Sequence, residues 1–162
     1  MTDDTNSNDA ATSGATSGSA SVRISAPPEA VFAALTDLDV LPTFSPENQR
    51  CEYLDGATEL SVGATFRGHN KAGDYEWHAD CVVTVFEPSR SFAYEVPPGF
   101  ELTTTWRYDI EPDGDGCVVT ESFDAPMLAR PDVYPGRIEG RRDNLEKGCR
   151  ITMAKLKAAL EA

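Results

Sequence analysis

The chain is poor in basic residues and has no long apolar run. Its 14 basic residues face 27 acidic ones, for a formal net charge of -13. Such a charge repels phosphate backbones and anionic lipid surfaces, so nucleic acid is excluded as a partner. The chain has no apolar run near the roughly 20 residues that cross a bilayer, and its N-terminus lacks the basic and apolar regions of a signal peptide. We therefore predict a cytoplasmic protein without stable membrane insertion.

The motifs of several catalytic classes are also missing. Cys51, Cys81, Cys117 and Cys149 form no CxxC pair and have no histidine at ligand spacing, which predicts reduced core thiols rather than a metal site. The sequence contains no Ser-His-Asp signature and no phosphate-binding loop. We expect neither a metal nor a cofactor.

The composition predicts one folded domain behind a tail. Residues 1–19 are rich in Ser, Thr, Gly, Ala and Asp and carry no large apolar side chain after Met1, so they cannot offset the entropy of ordering. We predict a disordered, acidic, low-complexity tail over residues 1–19 and a single domain over 20–162. Both a monomer and a dimer are compatible with this sequence.

The domain is predicted to begin with a strand and two short helices. Residues 20–25 alternate apolar and polar side chains, which indicates a strand. Pro28 and Glu29 are typical of a first helical turn, and this helix should extend to Leu35. Asp37 is predicted to cap a second short helix, which Pro42 closes.

From residue 49 onward the period of the pattern becomes two, which predicts an antiparallel sheet. Sequences rich in Gly, Pro and Asp separate the segments, and such short connections join antiparallel neighbours. The predicted strands span residues 49–54, 62–70, 75–86, 91–96, 101–111 and 116–124.

Alternation also assigns the two faces of the sheet. One face is apolar and aromatic, whereas the other is polar and includes His69 and His78, which we predict to face outward. The inward residues are Trp77, Ala79, Cys81, Val83, Val85, Phe92, Tyr94, Val96, Leu102, Thr104, Trp106, Tyr108, Ile110, Cys117, Val119, Glu121 and Phe123.

A long helix is predicted to end the chain, from about Ile138 or Asp143 to Glu161. Its apolar stripe is Leu145, Cys149, Thr152, Leu156 and Leu160, at helical spacing. Gly148 lies beside the stripe and indicates either close packing against the sheet or room for a ligand; packing is the commoner cause.

The order of these elements resembles a known family. The segments that carry the resemblance are ISAPPEAVFAALTDLDVLPTFSP, FRGHNKAGDYEWHADCVVTVFEPSRSFAYEV, TWRYDIEPDGDGCVVTESF and NLEKGCRITMAKLKAAL. Residues 20–162 resemble the helix-grip superfamily of START-related lipid-transfer domains and the birch-pollen allergen, and within it the polyketide cyclase/dehydrase and lipid-transport family. The resemblance implies an α+β helix-grip fold, in which a curved sheet of about seven strands wraps around the last helix and encloses an apolar cavity. It implies no single activity, because its relatives include aromatic cyclases and lipid and hormone carriers.

Glu121 is the candidate catalytic residue, because alternation places this acid on the aromatic face. Desolvation there would raise its pKa and make it a proton donor or acceptor near neutrality. The favoured alternative is that Glu121 bonds a helix residue such as Asn144 or Arg141, or lies near the cavity mouth, and orients the helix. Asn70 is equally suited to the cavity and to stabilising the turn after it. The candidate ligand-binding residues are Phe66, Asn70, Trp77, Cys81, Tyr94, Trp106, Tyr108, Phe123, Leu145, Cys149 and Thr152.

Three functions follow from this prediction. The first is a carrier or binding protein for a small hydrophobic or aromatic molecule, in which Glu121 and Asn70 bind one polar group. The second is a cyclase or dehydratase in which Glu121 shuttles a proton while tyrosine hydroxyls or Asn70 steady an enolate-like oxygen. The third is a regulatory or interaction domain whose cavity is filled by side chains.

Overall fold

The described residues form one antiparallel sheet and two α-helices. The computed structural model describes residues 15–97, 102–130 and 140–162, and within them seven strands pair in the order β1-β7-β6-β5-β4-β3-β2. The strands are β1 (Ser17–Ile24), β2 (Asn48–Tyr53), β3 (Thr65–Ala72), β4 (Tyr75–Glu87), β5 (Ser91–Val96), β6 (Thr104–Asp113) and β7 (Gly116–Asp124). The helices are α1 (Pro28–Leu35) and α2 (Arg141–Leu160), and neither is long and apolar enough to cross a bilayer.

The region after β1 contains one α-helix rather than two. α1 begins as predicted, with Pro28 in its first turn and Glu29 near its positive end. The second predicted helix is a single 3-10 turn over Leu41–Thr43. Pro42 lies inside this turn, and its ring and missing N–H prevent an α-helix from continuing through it.

Two strand boundaries differ from the prediction. β1 begins at Ser17, three residues before the predicted domain boundary at residue 20. β3 begins at Thr65 rather than Val62, because Gly63 adopts a φ of 91° and keeps the preceding residues in a turn. The predicted tail over residues 1–14, the predicted strand start at Glu101 and the predicted helix start at Ile138 lie outside the described residues.

A bulge in β4 changes the face of its last residues. The register with β5 shifts between Val83 and Val85, so that Val83 pairs with Tyr94 and Val85 pairs with Ala93. An extra residue in a strand reverses the alternation beyond it. The inward placement predicted for Val85 is therefore wrong: Phe86 packs against the core instead, 5.2 Å from the ring of Phe32.

The core fills one end of the space between the sheet and α2. Phe32 and Leu35 of α1 are buried there, together with Met153 and Leu156 from the C-terminal half of α2. The predicted stripe of α2 is buried at Cys149, Thr152 and Leu156, whereas Leu145 and Leu160 are only partly buried. The N-terminal half of α2 lies over the other end of the sheet, where the functional site is found.

Polar contacts hold α2 along the edge strand β1. Near the start of the helix, Arg142 Nε donates to the Ser17 carbonyl oxygen at 3.0 Å. Near its end, Lys157 Nζ donates to the Arg23 carbonyl oxygen at 2.8 Å. Gly18 permits this approach, because a Cβ at that position would lie 2.8 Å from Glu146 Oε2. The helix therefore covers the free edge of β1 along most of its length.

The Gly116→Ala substitution should destabilise the protein. A Cβ at residue 116 would lie 2.3 Å from the carbonyl oxygen of Ile24, so the β1–β7 pairing must shift. Overpacking of this kind lowers the free energy of unfolding by about 1–3 kcal/mol. Denaturant unfolding measures it.

Gly148→Ala provides the matched control for this substitution. An added Cβ meets only Pro46 Cγ at 3.6 Å, an ordinary contact, and alanine stabilises a helix interior by about 0.5–1 kcal/mol relative to glycine. Equal stability of the two variants would contradict the steric account of Gly116.

Candidate functional site

A cavity of about 870 Å³ lies between the sheet and the N-terminal half of α2. Strands β3 to β7 form its floor, and α2 forms its roof with Leu145, Gly148, Cys149 and Thr152. Residues of the 3-10 turns at Leu41–Thr43 and Pro126–Ala129 close parts of its sides. This volume lies within the range of about 300–1,000 Å³ that is typical of sites for small molecules.

Aromatic rings form much of the cavity wall. The Phe66 and Tyr94 rings meet edge to face with centroids 5.1 Å apart, and Tyr75 stacks on Trp77 at 5.4 Å. Trp106 projects from β6 on the same face, because it pairs with Tyr94 of β5. Flat rings with apolar faces favour ligands that are themselves hydrophobic or aromatic.

Glu121 is the acidic group at the deep end of this cavity. It lies on β7 between Ala20 of β1 and Tyr108 of β6, and only 5% of its surface is exposed. The Tyr108 hydroxyl donates to Glu121 Oε1 at 3.1 Å. Glu121 Oε2 is buried and, among the described residues, has no hydrogen-bond partner. One oxygen of this cavity-lining carboxyl group is therefore left without a hydrogen bond among the described residues.

Burial makes Glu121 a weak acid. Desolvation raises its pKa from 4.5 to about 8, while the Tyr108 hydroxyl and the nearby Cys149 thiol oppose part of this shift. Burial likewise raises the pKa of the Tyr94 and Tyr108 hydroxyls and of the Cys149 thiol. At neutral pH the deep end of the cavity is thus lined by uncharged groups, each of which carries a proton.

Charged groups are found instead at the mouth of the cavity. Arg141, at the start of α2, forms a two-pronged ion pair with Glu47 at 2.6 and 3.0 Å. The Arg141 guanidinium also lies 6.0 Å from the centre of the Trp77 ring. Asn70 and Asn144 line the same region. The mouth is polar, whereas the interior is aromatic.

Most of the predicted ligand-binding residues line this one cavity. Phe123 does not: it is 3% exposed and packs against Trp106, with 5.4 Å between the ring centroids. It supports the wall rather than forming it. The cavity-lining residues are Phe66, Asn70, Trp77, Cys81, Tyr94, Trp106, Tyr108, Glu121, Leu145, Cys149 and Thr152.

The structure also changes two interpretations from the sequence. The sequence predicts Asn144 or Arg141 of the helix as a partner of Glu121, but Arg141 pairs with Glu47 and the hydrogen bond to Glu121 comes from Tyr108. Close packing does not explain Gly148, because an added Cβ would have ordinary contact with Pro46 alone. Gly148 leaves space in the roof of the cavity.

The two histidines have surface roles. His69 lies 2.9 Å from Glu52 Oε1, an outward carboxylate on the neighbouring strand β2. His78 is exposed and pairs with His69 in the sheet, although atoms of His78 also reach the rim of the cavity. Neither histidine approaches Glu121.

Sequence reasoning missed the cavity residues that come from turns. Pro46, Met127 and Leu128 line the cavity from segments without a period-two or helical pattern. Asn48 was also missed, because it lies at the start of β2 beside a register shift. Only the pairing of distant segments brings these residues to the site.

A long helix held by a seven-stranded antiparallel sheet, with a cavity between them, defines a helix-grip domain. The family model for polyketide cyclase/dehydrase and lipid transport matches residues 15–161. The chain belongs to this family.

Solved structures show the same fold. The polyketide-cyclase-like protein Cgl2372 from Corynebacterium glutamicum is 29% identical over 90% of this chain and 91% of its own, with a TM-score of 0.64. The di-domain ARO/CYC StfQ of the steffimycin pathway is 15% identical over 90% of this chain and 50% of its own, with a TM-score of 0.69. DynU16, from the dynemicin biosynthetic locus, is 18% identical over 91% and 48% of the two chains, with a TM-score of 0.63. A comparison with curated proteins finds no match.

The raised pKa of Glu121 predicts a specific pH dependence of stability. Between about pH 4.5 and 8 the folded protein holds a proton on Glu121 that the unfolded chain has released. The free energy of unfolding of the wild type, relative to Glu121→Gln, should therefore fall by up to about 1.4 kcal/mol per pH unit in this window and level off above it. Chemical denaturation of both proteins from pH 5 to 9 measures the difference. A constant difference would show that Glu121 titrates normally.

Proposed function

We propose that this protein binds a small hydrophobic or aromatic molecule in the cavity beneath α2. The observation that carries the proposal is an aromatic cavity of about 870 Å³ that contains one buried, partly unpaired carboxyl group. Apolar walls supply affinity through buried area, and a single polar group orients the ligand. The chain belongs to the polyketide cyclase/dehydrase and lipid-transport family, and this membership also supports a hydrophobic or aromatic ligand.

Binding of this kind requires no catalytic machinery. The wall residues Trp77, Tyr94 and Trp106 would contact the apolar body of the ligand, while Asn70 at the mouth and Glu121 in the interior would bind its polar groups. We place this carrier in the cytoplasm, which the free thiols of Cys51, Cys81, Cys117 and Cys149 support.

An enzyme of the cyclase or dehydratase type is the second candidate. The observation in its favour is that burial brings the pKa of Glu121 to about 8, where a carboxyl group exchanges protons readily at neutral pH. The Tyr108 hydroxyl, which bonds Glu121, is suitably placed to steady that group during a proton transfer. An interaction domain with a filled cavity is not favoured, because the described side chains leave the cavity volume open.

Blocking the cavity should abolish ligand uptake. In Gly148→Phe the new ring enters the cavity from its roof, whereas in the neighbouring Lys147→Phe it lies on the exposed face of α2. Fluorescence titration with the neutral probe N-phenyl-1-naphthylamine should give saturable binding for the wild type and Lys147→Phe but at least tenfold weaker binding for Gly148→Phe. Equal binding by all three proteins would place the probe elsewhere and contradict the proposal.

The Glu121→Gln substitution separates a carrier from an enzyme. Gln keeps the size of the side chain and an acceptor for Tyr108 but cannot exchange the proton. Mass spectrometry of molecules that co-purify with the wild type and with Glu121→Gln should find the same masses if the protein is a carrier. Accumulation in the variant of a precursor that is heavier by one water would instead show a dehydrating enzyme.

A further inference from the structure

We propose that the deep end of the cavity binds an uncharged hydrogen-bond acceptor of the ligand, such as a ketone or quinone carbonyl, with Glu121 as the donor. The site thereby selects neutral carbonyl compounds over carboxylates of the same skeleton. This inference rests on the proposed function and specifies its ligand class.

The two oxygens of Glu121 are in different surroundings. Oε1 accepts from the Tyr108 hydroxyl, so it behaves as the carbonyl oxygen of a neutral acid. Glu121 lines the cavity, and its Oε2 is buried and, within the described part of the chain, has no partner. A proton on Oε2 therefore has no acceptor among the described residues. A buried donor without an acceptor is unfavourable, and a ligand carbonyl would remove that penalty.

Among the described residues, the groups that face Glu121 carry no positive charge. Tyr108 faces it from β6, Cys149 from α2 and Ala20 from β1, and Tyr94 lies beyond Tyr108 on β5. Arg141, the cation that lines the mouth, is paired with Glu47. A ligand carboxylate at the deep end would be desolvated without a cation to pair with it, which is strongly unfavourable.

The aromatic wall favours a flat ring system as the ligand body. Three anthracenes with one skeleton test the inference: 2-acetylanthracene is the neutral acceptor, 2-anthracenecarboxylate is the anion and 2-ethylanthracene has no polar group. Their own fluorescence reports binding. Because the ethyl compound is more hydrophobic than the ketone, the informative quantity is the ratio of their dissociation constants in each protein.

At pH 6.5 the wild type should bind the ketone at least tenfold more tightly than the carboxylate. The Glu121→Met substitution removes the donor at nearly constant volume. It should therefore raise the dissociation constant of the ketone, relative to that of the ethyl compound, by about 3- to 10-fold. Glu121→Gln keeps an N–H donor at this position and should retain the wild-type ratio.

The pH profile of the wild type gives a readout that does not depend on a variant. As Glu121 ionises above about pH 8, the wild type should lose affinity for the ketone, whereas the affinity of Glu121→Gln should stay constant. If none of the three anthracenes binds the wild type, the proposed cavity function fails. If they bind but the ketone preference is unchanged by Glu121→Met and by pH, or the carboxylate binds as tightly as the ketone, only the assignment of ligand class is overturned.

Discussion

The contact between α2 and the edge strand β1 decides what this fold can contain. Arg142 bonds the backbone of Ser17 near one end of the helix, and Lys157 bonds the backbone of Arg23 near the other. A helix fixed at both ends need not be supported by side chains along its whole length. Only its C-terminal half rests on the packed core, and its N-terminal half spans the cavity. The internal space thus follows from the way the helix is held.

Glu121 lies on β7, between β1 and β6, and its side chain lines this cavity. A desolvated carboxyl group opposes folding as the pH rises, and leucine at the same position would pack without this penalty. The residue is accommodated because Tyr108 bonds one oxygen, yet the other oxygen has no partner among the described residues. Most buried polar groups in proteins have hydrogen-bond partners, and the exceptions are concentrated at functional sites. There a loss of stability accompanies a gain in binding or catalysis.

Alternation of residues in the strands was sufficient to predict most of the cavity wall. Trp106, Tyr108 and Glu121 were placed correctly on one face, because their strands pair without interruption. Val85 was misplaced since a bulge adds a residue to β4, and a bulge leaves no mark in the alternation of a single strand. Phe123 shows a second limit: alternation gives the face of the sheet but not which residues of that face reach the cavity, and Phe123 packs against Trp106 without lining it.

Binding and catalysis in such a cavity differ by the position of the bound molecule rather than by the residues present. In the proposed site a neutral Glu121 would donate to a carbonyl oxygen in either case, and this hydrogen bond alone would hold a ligand in place. Catalysis requires that the same hydrogen bond become stronger as negative charge develops on the ligand oxygen. The Tyr108 hydroxyl, which donates to Glu121, can stabilise the carboxylate that forms as the proton leaves. The aromatic wall would set the depth and tilt of a flat ligand, so residues such as Tyr94 and Trp106 would determine whether a reacting carbon comes within reach of Glu121. Substitutions of the wall, rather than of Glu121, are therefore the changes that would convert a carrier of this fold into an enzyme.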